Sequence, residues 1–523
     1  MTSLSRAIGA LAATLALTLA GVATAAGAER TSPSVRLDTR TTMTRGADGV
    51  EHYHFVFGPV RISPGQNSIF LDPNGLDRNA RPKKDGHILS FEPNLVYEDG
   101  SIPRVDVIHL HHAVWLVNGA PTWAAGEEKT VFRSPKGFGY PYKTTDAWTM
   151  NHMIHDLVPQ PTTVYITYDM DFLPATAPGA EKIIPTRTEW MDVEGGKAYP
   201  VFDAIKGQGR GTASGRRFTY PDDAPDAYAG RRDPPNRWIV RRDQTLVSTA
   251  GHLHPGGLHT DLTITRDGRR KRLFRSEAKY WEPAGAVSWD VAMTATPSNW
   301  KVNVRPGDVV EVSGTYDTAR ASWYESMAIM PVQVAEGWHG VDPFEREITT
   351  TGRITHGPLA ENRNHGGGPA PEYANALRLP DGRPSRNGLV KIAGFYYARG
   401  NMLGGDRVAR PPTLRPGQTM TFRNDDAPTD LLGGVVGASG SKLPIYHTVT
   451  ACRAPCNRAT GIAYPLADGP EIFDSGQLGA GPQGITAAAQ RATWSVPTDL
   501  DSGTYTYFCR VHPYMRGAFR VKD

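Results

Sequence analysis

Near the end of the chain, Cys509-Arg-Val-His512-Pro-Tyr-Met515 places a thiol, an imidazole and a thioether on one short loop, directly after the alternating run Gly503-Thr-Tyr-Thr-Tyr-Phe508. Thiolate and thioether stabilise Cu(I) while imidazoles accept Cu(II), so one Cys, two His and a weak axial Met suit copper that cycles between the two states. The second imidazole is His447, in Ile445-Tyr-His-Thr-Val-Thr, brought in from an earlier strand of the same block. Zinc is the weaker choice, because it prefers a closed four-ligand set without a thioether.

Two further histidine clusters lie upstream. In Ile108-His109-Leu-His111-His112-Ala-Val-Trp115, strand alternation puts His109 and His111 on one face and His112 on the other, unless a bulge turns it. In Gly251-His252-Leu-His254-Pro-Gly-Gly-Leu-His259, His252 and His254 share a face and Pro-Gly-Gly ends the strand beside them. Met327, in Trp323-Tyr-Glu-Ser-Met327-Ala-Ile-Met330, would complete a site of two imidazoles and one thioether with open positions, fit to hold Cu(I) where dioxygen can reach it.

The elements that carry these residues read as strands. The chain has 523 residues, too many for one core, and its 55 Gly and 42 Pro favour turns over long helices, so an all-β protein of several domains is expected. Residues 1–28 read as a signal peptide: Arg6, an apolar run from Ala7 to Ala20, then Ala23-Thr-Ala-Ala26. Residues 29–182 and 183–345 read as two β-sandwiches, 346–387 as a Gly/Pro/Asn-rich linker, and 388–523 as a third β domain. Within the second block, 207–235 reads as a long surface loop, Arg266-Asp-Gly-Arg-Arg-Lys-Arg as a hairpin turn with solvated charges, and 305–317 and 323–330 as neighbouring strands. No later run is long and apolar enough to span a membrane, so a secreted, extracellular protein is expected. There Cys452 and Cys456 could pair across a very small loop, leaving Cys509 alone. The net charge of +4 is dispersed, so nothing points to nucleic acid.

The last block, about a quarter of the chain, resembles a cupredoxin, a Greek-key β-sandwich, and its Cys-x-x-His-Pro-x-Met loop is similar to the ligand loop of amicyanin. Phe473-Asp-Ser-Gly and the strand leading into Cys509 add to the likeness. Residues from about 35 to 345 resemble the copper-dependent peptidylglycine alpha-hydroxylating and dopamine beta-monooxygenases, built from two jelly-roll-like β-sandwiches with one copper in each. That resemblance implies His111 and His112 on an electron-supplying copper and His252, His254 and Met327 on an oxygen-activating one. For the third ligand of the first copper it offers no direct match, since Val164-Tyr-Ile-Thr-Tyr lacks a histidine; His155 is the choice, with His152 and His109 behind it. The family's paired cysteines are absent, and Ala328-Ile-Met-Pro follows Met327 without the Asn and Tyr that peptide-processing members use, so peptidylglycine is not the expected substrate.

Two functional classes follow. One is a secreted copper monooxygenase with up to three coppers, taking electrons from an unknown donor through the cupredoxin-like block and hydroxylating a carbon–hydrogen bond of a small molecule or peptide with dioxygen. The other is a non-enzymatic copper-binding or electron-transfer protein. A multicopper oxidase is disfavoured, because its trinuclear cluster needs His directly beside the Cys, whereas Phe508 and Arg510 flank Cys509. Eight of the 16 histidines, His109, His111, His112, His155, His252, His254, His447 and His512, enter these candidate sites. His52 and His54 read as solvent-facing strand residues, and His259 as a supporting or surface residue.

Overall fold

The structure is a computed structural model that describes residues 36–523 apart from 63–66, 72–75, 106, 158–159, 196–199, 282–288, 320, 360–375, 384–387, 403–408, 427–446, 454–471, 477, 480–491, 511 and 513–514. The signal-peptide reading therefore lies outside the described residues, as do Cys456 and with it the Cys452–Cys456 pairing. Among the described residues the helical pieces are single turns such as Arg78–Ala80 and Ala180–Lys182, and the protein is all-β.

Three apolar cores organise the strands. The first lies between the long strands Glu51–Ile62, Ser90–Tyr97 and Thr162–Pro174 on one side and, on the other, a four-stranded sheet ordered Asn67–Leu71, Trp148–Asp156, Ile108–Val117, Ala120–Ala125. The second lies between Ile184–Asp192, Ala328–Glu336, Gln244–Thr249 and Val302–Val304 on one side and a seven-stranded sheet containing Gly257–Arg266, Arg269–Tyr280 and Val309–Asp317 on the other. The third fills a sandwich of a four-stranded and a five-stranded sheet, the latter holding Gly503–Phe508 and Arg516–Val521. The first two sandwiches are joined edge to edge, since Ile184 and Pro185 pair in parallel with Phe138 and Gly139.

Several local expectations change. The 309–317 and 328–336 strands do not pair; they face each other across the second sandwich, where a Cβ on Gly314 would come within 2.3 Å of that of Ala328. The 207–235 segment contains a strand, Arg217–Tyr220, paired with Val309–Asp317. The Arg-rich hairpin turns at Asp267 and Gly268, both at positive φ, as a two-residue hairpin turn requires, but its first arginine is not solvated. Arg266 is buried between Asp308 and Asp342, with its Nε 2.6 Å from Asp308 and Nη1 2.6 Å from Asp342. His52 and His54 hold Asp171 and Asp169 at 2.7 and 2.6 Å, so both are paired on the surface of their sheet. His259 pairs with Asp261 at 3.6 Å. The first residues of the 346–387 segment lie back on both sandwiches: Arg353–Thr355 pairs with Val291–Ala295, and the Pro358 carbonyl accepts from Asn94.

Candidate metal centres

In the third sandwich, His447, Cys509 and His512 bring one donor atom each within 4.8 Å of the others, and all three are buried. Cys509 Sγ lies 3.8 Å from His447 Nδ1 and 3.7 Å from His512 Nδ1, and the two Nδ1 atoms are 3.2 Å apart. The backbone N–H groups of Thr448 and His512 point at the sulfur, each at 3.3 Å, and hold it in place. Met515 is fully buried, and its carbonyl accepts from the Cys509 N–H at 3.1 Å, so the loop closes on itself. His447 donates Nε2–H to Asp426 at 2.8 Å, which fixes Nδ1 as its ligand atom. Burial alone would lower the pKa of His447, but Asp426 and neighbouring Cys509 outweigh it and raise it to about 9. Ser475, of the Phe473-Asp-Ser-Gly motif, accepts the Val449 N–H at 2.8 Å and so ties down the strand that carries His447. The donor set fits a copper electron-transfer site.

The second centre begins with a bulge. Opposite the Trp148–Asp156 strand, His109 pairs with His155, Leu110 with Ile154 and His112 with Met153, which leaves His111 as the extra residue. Before the bulge Ile108 and Leu110 face the first core; after it Ala113, Trp115 and Val117 do. The parity switch therefore puts His109, His111 and His112 together on the outer face, where simple alternation would have sent His112 into the core. His155 joins them, its ring centroid 5.1 Å from that of His109 and 6.3 Å from that of His111. His152 takes the opposite face and packs on Phe57.

The outer face meets the second sandwich. His111 lies 4.6 Å from His254, ring to ring, and Trp289 sits 4.8, 4.4 and 4.7 Å from His109, His111 and His254. His252 and His254 contact at 5.1 Å. Tyr316, facing them across the second sandwich, holds His254 and Met327 in place: its hydroxyl accepts from their backbone N–H groups at 3.2 and 3.1 Å and donates to the Met327 carbonyl at 2.5 Å. A cleft of about 730 Å³ between the two sandwiches is lined by His112, His252 and Met327 together with Asn151, Asp192 and Trp190. Strand alternation explains its second-sandwich wall, since Ile329, Pro331 and Gln333 face the cleft while Ala328, Met330 and Val332 fill the core.

His109, His111, His112 and His254 are buried and held neutral. Burial, with repulsion from neighbouring imidazoles, holds His109, His111 and His254 well below the ordinary histidine pKa, and burial takes His112 down to about 4 against the pull of its Asn151 hydrogen bond. Neutral imidazole is the form that binds metal. The buried Nε2 atoms of His109, His252 and His254 have no hydrogen-bond partner among the described residues, which fits them to receive a metal. Unlike the thiolate set, these side chains do not converge within 4.8 Å in threes.

The two centres touch. His512 ends 5.8 Å, ring to ring, from His155. Phe508, next to Cys509, is fully buried and belongs to the core of the second sandwich; Arg510, on the other side of Cys509, holds Asp474 at 2.8 Å and stacks over Trp323 at 5.2 Å. The sequence pattern pointed to every histidine in this arrangement, but not to Asp426, Glu128, Trp289, Tyr316 or the docking role of Phe508 and Arg510. None of these carries a motif, and each acts through a contact distant in sequence.

No family model and no curated protein matches the chain. Solved structures resemble parts of it. The Cu(I) form of an amicyanin mutant is 19% identical, covering 28% of this chain and 89% of that one at a TM-score of 0.15. A purple cupredoxin from Nitrosopumilus maritimus is 16% identical, covering 26% and 98% at 0.15. A copper-containing nitrite reductase from Thermus scotoductus is 14% identical, covering 54% and 59% at 0.16. Likenesses of this extent say nothing of function, which rests on the donor atoms.

Proposed function

We propose that the chain is an exported copper-dependent monooxygenase that hydroxylates a carbon–hydrogen bond with dioxygen, its cupredoxin-like block delivering the electrons. The observation that carries this reading is the contact of His512 with His155, which joins the thiolate set to the histidine set through two imidazole rings. Copper would be held by His447, Cys509, His512 and Met515, by His111 and His112 with His155 or His109, and by His252, His254 and Met327; it would supply one-electron exchange and dioxygen activation. The chain's own residues do the rest. Asp426 fixes the ligand nitrogen of His447, Tyr316 ties together the backbones of His254 and Met327, and Phe395 packs edge-on against both His447 and His512. Ala125, Trp190 and Pro331 give the cleft apolar walls, so a substrate with an apolar body would bury its reacting carbon near His252 and Met327.

The test is copper quantification with visible and paramagnetic-resonance spectra of the purified protein. More than one copper per chain is expected, with a blue signal and a separate non-blue cupric signal. One copper and only the blue signal would sink the monooxygenase reading and leave an electron-transfer protein.

A further inference from the structure

We propose that Glu128 of the first sandwich is the positioning residue of His252 in the second, so that His252 offers its ligand atom to the cleft only while the two sandwiches are docked. This rests on the reading of His252 as a copper ligand.

The tight turn at Gly126–Lys129 follows the Ala120–Ala125 strand, and three contacts fix it. Lys129 N–H donates to the Gly126 carbonyl at 3.1 Å, Gly126 N–H donates to Glu128 at 2.9 Å, and Glu127 accepts the Leu110 N–H at 3.2 Å, between His109 and His111. The turn is thus anchored to the strand that carries the first-sandwich histidines. From it Glu128, 3% exposed, reaches across and accepts from His252 Nδ1 at 3.0 Å. The His252 ring lies against the backbone of the same turn: a Cβ on Gly126 would fall 2.7 Å from His252 Cε1 and 2.5 Å from Glu128 Oε2.

The consequence is chemical. A neutral imidazole carries one proton, and the Glu128 carboxyl holds it on Nδ1. The lone pair is left on Nε2, which is buried, has no partner among the described residues and belongs to a side chain lining the cleft. A carboxylate behind a ligating imidazole sets its tautomer and raises its basicity, and losing such a partner costs about 10–100-fold in metal affinity. The backbone of His252, in the two-residue strand His252–Leu253, is held by pairing with Ile329, but that pairing does not set which ring nitrogen carries the proton. The second-sandwich site is therefore finished by a residue of the first.

The experiment uses the full chain. In copper-free protein, nitrogen-15 imidazole spectra, assigned by the signal lost in His252→Gln, should show the Nδ1–H tautomer. Glu128→Leu should mix the tautomers and weaken non-blue copper binding about 10–100-fold with the blue band unchanged. Glu128→Gln, whose amide oxygen still accepts a hydrogen bond, should retain most of both. Gly126→Ala, whose Cβ crowds the Glu128 carboxyl and the His252 ring at their contact, should also weaken non-blue binding and covers the case in which Glu128→Leu does not fold. A wild-type tautomer and wild-type copper affinity in Glu128→Leu would overturn the proposal. A full non-blue signal in His252→Gln would instead show that the copper reading of His252 is at fault, while the tautomer still reports on Glu128.

Discussion

The thiolate set and the histidine set differ in how they are built. His447, Cys509 and His512 come from one sandwich and already stand within 4.8 Å of each other, with Asp426 and two backbone N–H groups fixing their donor atoms. The histidine set is assembled from two sandwiches, its rings are 4.4–6.4 Å from their neighbours, and its order depends on a bulge, an indole and a cross-sandwich carboxyl. A closed, rigid set limits rearrangement between oxidation states and suits electron transfer. On the proposed function, a looser set beside a cleft would leave positions for dioxygen and substrate. The difference between the centres would then be a division of labour, and it can be broken from either side.

The largest effect is expected from Cys509→Ser. It removes the thiolate and with it the whole blue absorption, while the non-blue copper signal of the histidine set stays. Loss of both signals would mean that the two centres do not bind independently. Next is Phe508→Ala. Its ring is fully buried in the core of the second sandwich, so truncation should destabilise the chain by about 3–5 kcal/mol. Because the same ring docks the third sandwich, reduction of the histidine-set copper after rapid reduction of the blue copper should slow as well. A variant with lowered Tm and unchanged transfer would separate docking from the electron route.

The convergence of His447, Cys509 and His512 was legible in the sequence because its chemistry is local: Cys509 and His512 lie on one loop after one strand, and only His447 comes from elsewhere. The strands were legible too, since alternation of apolar residues survives in one dimension. Pairing was not. The 309–317 and 323–330 segments read as neighbours but stand in opposite sheets, because strand patterns record which face is buried and not against what. The bulge at His111 was foreseen only as a condition, since nothing in His109-Leu-His-His112 says which residue is extra. Arg266 looked like one more solvated arginine; its burial depends on Asp308 and Asp342, which lie far along the chain.

Acidity offers a smaller perturbation that acts on the centres in opposite senses. His112 titrates near 4 in the folded chain and at the ordinary value near 6.5 when unfolded, so the unfolded state binds more protons between these limits. The stability it contributes is present above about 6.5 and is lost as the pH falls toward 4, with His109, His111 and His254 acting in the same direction. His447 is shifted upward to about 9, so its contribution is complete below about 6.5 and is lost as the pH rises through 9. Tm of the metal-free protein should therefore fall on both sides of neutrality. His112→Asn should make the acid limb shallower and leave the alkaline limb, and Asp426→Asn should make the alkaline limb shallower. Equal flattening of both limbs by either variant would show that the centres are not separable.

The finest test of the division is Met327→Leu. Met327 is 2% exposed, and its backbone is held at both N–H and carbonyl by the Tyr316 hydroxyl, so its placement does not depend on the thioether. Leucine has nearly the same volume, and such swaps cost less than about 1.5 kcal/mol. Folding, the blue band and the cleft should survive. The thioether is a soft donor lining the same cleft as His252, and soft donors are what keep copper in the reduced state that meets dioxygen. Oxygen consumption by the reduced protein should then be lost in a variant of almost unchanged Tm, which separates the chemistry of this position from its packing. Unchanged oxygen consumption would move the oxygen chemistry away from the His252, His254 and Met327 set, and the cleft beside it would lose its claim to the substrate.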